Sequence, residues 1–221
     1  MFKSKKFKLT LSIVILLPGL LIAYSVITIY QARKHTAAVI AELHDPAIMT
    51  LNLDDLTPDQ LKWLLMVEDP NFYEHKGVDF STPGAGWTTI TQALVKIYYF
   101  DHFKPGLAKY KQTLIARFAL DPLISKDDQL ELFINKIYLG RTPEGQVYGF
   151  ADAARLYYNK YFKDLTRDEY LSLVAMIIAP NSVNAVAQPD LNRERLRRIN
   201  RLISGKARPN GWLDVWLEGC E

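Results

Sequence analysis

A chain of 221 residues, 49% hydrophobic and 23% charged, carries enough apolar material for one core and is no disordered polymer. Its net charge of +3 is too small to argue for nucleic acid as a partner. The single cysteine, Cys220, excludes an intramolecular disulfide and a cysteine-based zinc site, and a surface thiol is its simplest reading.

Lys3, Lys5, Lys6 and Lys8 make residues 1–8 a basic segment, and residues 9–30 carry no charge. A helix of that length spans roughly 33 Å, enough to cross a bilayer's hydrocarbon core, so residues 9–30 are expected to form a transmembrane helix. A cleavable signal peptide is the alternative, but its apolar region is typically about 7–15 residues. The leading lysines outweigh Arg33 and Lys34 beyond the span, which predicts a cytoplasmic N-terminus with the rest outside. Pro18 and Gly19 are where the span can kink.

Residues 31–46 read as a helical or irregular stalk, 47–205 as the body and 206–221 as a tail without a legible motif. The body is expected to be all-α, because apolar residues recur at three and four rather than alternating. Thr57-Pro58-Asp59-Gln60 is a helix start with a capping Thr, a Pro at the first helical position and a Gln three residues on. Ser125 opens another helix, with Leu130, Phe133, Ile134 and Ile137 on its apolar side and Gly140 just past its end. Thr166 and Glu169 repeat the capping spacing before a helix that must stop near Pro180.

The helix after Thr57 should end near Glu68, since Pro70 cannot continue it. A helix C-terminus, the adjacent Asp69 and the apolar Leu65, Val67 and Phe72 all disfavour a charged carboxylate. Glu68 is therefore a candidate general base or acid, unless it is a solvated helix end paired with Lys62 or Lys76. Lys96, on a helix after Thr91 and Gln92, is followed by Lys104, Lys109 and Lys111; such a set can neutralise a pyrophosphate, meet anionic lipid headgroups, or form a solvated basic face. Between Lys96 and Lys104, Tyr98, Tyr99, Phe100 and Phe103 suit either the bilayer interface or the core. His75 has no second histidine at ligand spacing, so a structural hydrogen bond is favoured over metal binding.

Together these residues resemble the peptidoglycan glycosyltransferases of glycosyltransferase family 51, which include monofunctional transglycosylases and the polymerase domain of class A penicillin-binding proteins. The match covers most of residues 60–200. The family's E-D-x-x-F-x-x-H-x-G-x-D is met in full by Glu68, Asp69, Phe72, His75, Gly77 and Asp79. Its G-G-S-T-I-T-Q-Q and following Lys are met by Gly86, Thr89, Ile90, Thr91, Gln92 and Lys96, with Thr88 for the Ser and Trp87 and Ala93 substituted. I-L-E-x-Y-L-N-x-x-x-x-G is echoed by Leu130, Glu131, Phe133, Asn135 and Gly140, and A-A-x-x-Y-F-G-K by Ala153, Ala154, Tyr157 and Lys160. The third motif, R-K-x-x-E, departs. Its Glu falls on Gln112 counting forward from Lys96 and on Thr113 counting back from Ser125, and no Asp or Glu lies between Asp101 and Asp121.

The resemblance implies a lysozyme-like helical domain behind the transmembrane helix, in a bacterial inner membrane, with the domain on the outer face. It implies that Glu68 deprotonates the acceptor sugar of lipid II while Lys96 and Lys104 hold the departing pyrophosphate. Asp69, Phe72, Thr89, Thr91, Gln92, Lys109 and Gln112 would be further substrate-binding positions. Implied partners are lipid II, the nascent glycan strand, membrane lipid and other cell-wall synthesis proteins. No resident metal site is expected, although the family's lost Glu can act through a divalent cation, Mg or Mn. Two functions stay open: a polymerase in which Lys109 or Lys111 replaces the missing acid, or a silent relative that binds lipid-linked precursor and a partner polymerase, in which a Glu at 112 or 113 would restore some activity. A lysozyme-like hydrolase with Glu68 as acid is the weaker third.

Overall fold

The computed structural model describes residues 2–84 and 88–221, with side chains from Leu16 onward. Gly86 and Trp87 of the second motif lie outside the described residues, as do the side chains of the N-terminal lysines.

Helix α1 (Phe2–Glu42) is continuous and contains Pro18. Its apolar stretch is exposed at Leu16, Leu17, Leu20, Leu21, Val26 and Ile27, whereas Ala32, Thr36 and Val39 are buried. The same helix is therefore bare over its first half and part of the core over its second. Residues 31–42 are no separate stalk: they pack on α3 (Ile90–Tyr99) and α4 (Leu107–Ile115). Tyr99 and Thr36 share a hydrogen bond of 2.7 Å, Tyr98 donates to Glu42 at 3.1 Å, and Arg33 donates to the Phe118 carbonyl at 2.8 Å. Tyr98 and Tyr99 thus belong to this packed seam rather than to an open interfacial surface.

The expected caps form. Thr57 closes a capping box with Gln60 at the start of α2 (Pro58–Glu68), and Thr166 does so with Glu169 at α7 (Arg167–Met176). Ser125 caps α5 (Lys126–Lys136) by accepting from Asp128 N. Every residue of α7 from Tyr170 to Met176 is buried, which makes it the central helix. Tyr170 stacks on Phe150 at 5.6 Å and donates to the Gln60 carbonyl at 2.9 Å, joining α7 to α6 (Gly149–Tyr158) and α2. Helix α8 (Pro189–Ile203) packs on α7 and α2.

Three expectations need correction. A small antiparallel hairpin, β1 (Tyr138–Thr142) and β2 (Gly145–Tyr148), interrupts the helices. Gly140 lies within β1 and not at a helix end; its φ of +104° and the Tyr157 hydroxyl, 2.8 Å from where a Cβ would sit, both demand glycine. Cys220 is buried, so it is no surface thiol. It belongs to a packed C-terminal segment. Asp214 accepts from the backbone nitrogens of Asn210, Glu218 and Gly219 at 2.8, 2.7 and 2.9 Å, and Leu217 is buried beside α8.

Between α4 and α5 the chain makes a π-helical turn, Ala116–Leu120. Such a turn holds one residue more than an α-helix would. That extra residue is why the two counts to the third motif end on different positions. The turn is tied down on both sides: Arg33 holds the Phe118 carbonyl, Arg117 donates to the Lys76 carbonyl at 3.1 Å, and Gly77 (φ +83°) packs so close that a Cβ would lie 2.6 Å from Ala116 O.

Candidate active site

Pro70 ends α2, and the two acids at that end part company. Asp69 is fully buried and accepts from Ile90 N, in the first turn of α3, at 2.9 Å. His75 Nε2 lies 3.0 Å from both its oxygens. Gly77 N donates to His75 Nδ1 at 3.1 Å, so Nδ1 is an acceptor and Nε2 carries the proton toward Asp69. A carboxylate at the start of a helix, with two donors, is stable without solvent. Asp69 is a brace that fixes the α2 end against the α3 start.

Glu68 points the other way, into a cavity of about 290 Å³ lined also by Thr88, Thr89, Lys96, Phe133, Ile177, Arg195 and Val215. It keeps some solvent contact through that cavity but is otherwise enclosed by protein. Burial pushes its carboxyl up to about 7; Arg195 opposes the shift and Asp69 adds to it. The cavity therefore holds a carboxyl that exchanges its proton near neutrality.

The opposite wall is basic. Lys96 projects from α3, exposed and over the Phe103 ring at 5.4 Å. Lys109 reaches from α4 to donate to Thr88 Oγ1 at 3.1 Å. Burial, and the nearby Lys96 charge, bring its ammonium down to about 8. Thr89 caps α3, accepts from Gln92 N at 3.1 Å and donates to the Gly77 carbonyl at 2.8 Å, so the first two motifs meet at this residue.

The remaining expected substrate-binding positions do not line the cavity. Phe72 is buried beneath the Lys126 ammonium, 4.5 Å from its ring centroid. Thr91, also buried, donates to Gln129 Oε1 at 2.7 Å. Gln92 is spent on the α3 cap and on Thr113 Oγ1, to which it donates at 3.2 Å. Gln112 is 1% exposed and donates to the Gln92 carbonyl at 2.6 Å, while its Oε1 finds no partner among the described residues. Lys104 is exposed in the α3–α4 connection, away from the cavity lining. The later motifs also serve as braces. Asn135 accepts from Leu51 N at 3.0 Å and donates to Leu51 O at 2.7 Å, and Lys160 pairs with Glu169 at 2.7 Å.

The family model described as "Transglycosylase" matches residues 36–204. The chain belongs to the transglycosylase family. It is 31% identical to penicillin-binding protein 1F of Bacillus subtilis, across 88% of this chain and 31% of that protein. It is 33% identical to penicillin-binding protein 1A of Neisseria flavescens, across 78% of this chain and 22% of the relative, and 33% identical to penicillin-binding protein 1A of Neisseria lactamica, across 65% and 19%. The chain thus spans about a third or less of the length of these curated relatives. Within this transglycosylase domain, Glu68 of the first motif and Lys96 of the second reach the same cavity, and the substituted third motif contributes Lys109. Arg195 escaped the sequence reading: it sits in an arginine-rich helix, and nothing in α8 marks which arginine turns inward.

Proposed function

We propose that this protein is a membrane-anchored peptidoglycan glycosyltransferase that extends glycan strands from lipid II. The observation that supports it most is the Glu68 carboxyl facing Lys96 and Lys109 across one cavity. Near pH 7 the ionised fraction of Glu68 can take the proton of the acceptor 4-hydroxyl. The acceptor oxygen then bonds to the donor's anomeric carbon from the face opposite the pyrophosphate, the bond from that carbon to the phosphate oxygen breaks, and configuration inverts. The pyrophosphate leaves with its electron pair toward Lys96 and Lys109, which neutralise charge as it develops. Thr88 Oγ1, already fixed on Lys109, lies at the same wall.

A divalent cation fits this donor set poorly. Glu68 is the one carboxylate among the described lining residues, and Arg195 and Lys96 share its cavity. The lysines supply the positive charge instead. The apolar half of α1 would serve as the anchor, with the N-terminus in the cytoplasm. Leu107, Tyr110 and Phe118 are exposed on the neighbouring segment, and Tyr110 shares a hydrogen bond of 2.8 Å with Ser25 of α1, so lipid would meet both surfaces together.

The test is polymerisation of fluorescent lipid II by the detergent-solubilised full-length protein beside Glu68→Gln. Product from the wild type and none from the variant supports the transferase. Binding of lipid II without product from either would favour the silent relative, for which the absent third-motif carboxylate speaks.

A further inference from the structure

Arg195 is the third cationic side chain lining the cavity and the one on Glu68's side of it. It is 4% exposed, an unusual burial for arginine. One terminal nitrogen donates to the Val215 carbonyl at 3.1 Å, and the Trp216 ring centroid lies 5.8 Å from the guanidinium carbon. Its Nε is buried with no acceptor among the described residues. A guanidinium so enclosed, held from behind and short of partners in front, has donors left for whatever occupies the cavity.

The holder is the C-terminal segment. It is fastened by Gly84 N donating to Gly211 O at 3.0 Å, by Arg198 donating to Trp216 O at 3.3 Å, and by Arg198 pairing with Glu194 and Glu221. Val215 of the same segment lines the cavity. Residues 211–217 therefore form one wall of the site and the backing of its buried arginine.

We propose that Arg195 is a positioning residue for Glu68: backed by the C-terminal segment, its guanidinium orients the Glu68 carboxylate toward the acceptor hydroxyl and holds it there in its ionised form. This rests on the transferase reading of the same cavity. The charged groups facing Glu68 are Asp69 at its own helix end, Arg195 from α8 and Lys96 from α3 across the cavity, with Lys109 behind Lys96, and with Asp214 and Arg198 behind Arg195. Arg195 is the nearest group able to favour the anion.

The experiment titrates Glu68 by its carboxyl carbon signal in full-length protein labelled with 13C-glutamate, assigned by its loss in Glu68→Gln. Arg195→Met is expected to raise the midpoint by about one pH unit, and Arg195→Lys to keep it near the wild type. Trp216→Ala, which unseats the guanidinium without removing it, is expected to move the midpoint the same way by less. Coincident midpoints in wild type and Arg195→Met, or a Lys variant displaced as far as the Met variant, would overturn the proposal. If Arg195→Met fails to melt cooperatively, the Arg195→Lys and Trp216→Ala pair decides: a shift in the second alone supports, a shift in neither overturns. Lipid II kinetics are then read across pH. A positioning role moves the acid limb of kcat with KM within about twofold; a rise in KM at constant kcat would make Arg195 a substrate contact and overturn it. Absence of product from the wild type would refute the transferase, while the titration still decides on Arg195.

Discussion

Lys109 reaches from α4 to Thr88 at the mouth of the cavity, 3.1 Å from Nζ to Oγ1, and so carries its ammonium to within electrostatic range of Lys96. The third motif has lost its acid, yet its helix still delivers a charged group to the site.

The pH dependence of lipid II turnover follows from that pair and Glu68. As base, Glu68 must be ionised, so kcat/KM rises as pH passes about 7. As phosphate ligand, Lys109 must be protonated, so kcat/KM falls as pH passes about 8. A narrow bell between these limits is expected. Lys109→Arg, whose charge does not titrate in this range, should remove the alkaline limb and leave the acid limb in place. An alkaline limb that survives in Lys109→Arg would assign it to another group.

Glu68 also costs stability. Its carboxyl titrates near 7 in the folded protein against 4.5 for the ordinary group. The folded state therefore holds a proton that the unfolded chain has released, and wild-type stability declines from pH 4.5 to pH 7 and levels off above. Glu68→Gln has no such decline. Its stability advantage over wild type should be small at pH 4.5 and grow to at most about 3 kcal/mol by pH 7.5. Urea unfolding of both proteins at the two pH values measures it.

Asp69 is next to Glu68 in sequence but stands for architecture. Asp69→Asn keeps the shape but offers N–H groups toward donors, Ile90 N or His75 Nε2. A loss of about 2–4 kcal/mol is expected, by urea or thermal melting at pH 7. Detergent-stable folding unchanged in Asp69→Asn would refute the brace.

The two candidate positions for the missing acid separate structurally. Gln112→Glu would bury a charge where the present amide donates to Gln92 O, and should cost about 1–3 kcal/mol without adding an acid to the cavity. Thr113 is half-buried and accepts from Gln92, four residues beyond Lys109 on the same helix. A Glu there can reach the basic wall by the i, i+4 spacing. Thr113→Glu, and not Gln112→Glu, should raise polymerisation and move the alkaline limb upward. Equal effects from both variants would contradict this assignment.

The helical body was legible because its punctuation is local: Thr57, Ser125 and Thr166 each announce a cap within four residues. Glu68 was legible for the same reason, since Pro70 stops its helix. The hairpin was missed because two strands of four and five residues around Gly140 and Gly145 show no sustained alternation. Arg195 and its C-terminal backing could not be read, since their meeting with Glu68 joins positions more than a hundred residues apart. The π turn left a faint trace, the one-residue disagreement between Gln112 and Thr113, whose cause only the backbone reveals.

One stiff rod, α1, is both the apolar segment and a wall of the catalytic body, with no joint between them. Its phase is therefore a mechanical setting. Inserting one residue between Tyr30 and Arg33 would rotate the apolar half by about 100° relative to the cavity and lift it by 1.5 Å, breaking the Ser25–Tyr110 link. Any bilayer gripping that half would then dictate which way the mouth of the enzyme faces, as a keel dictates the heading of a hull.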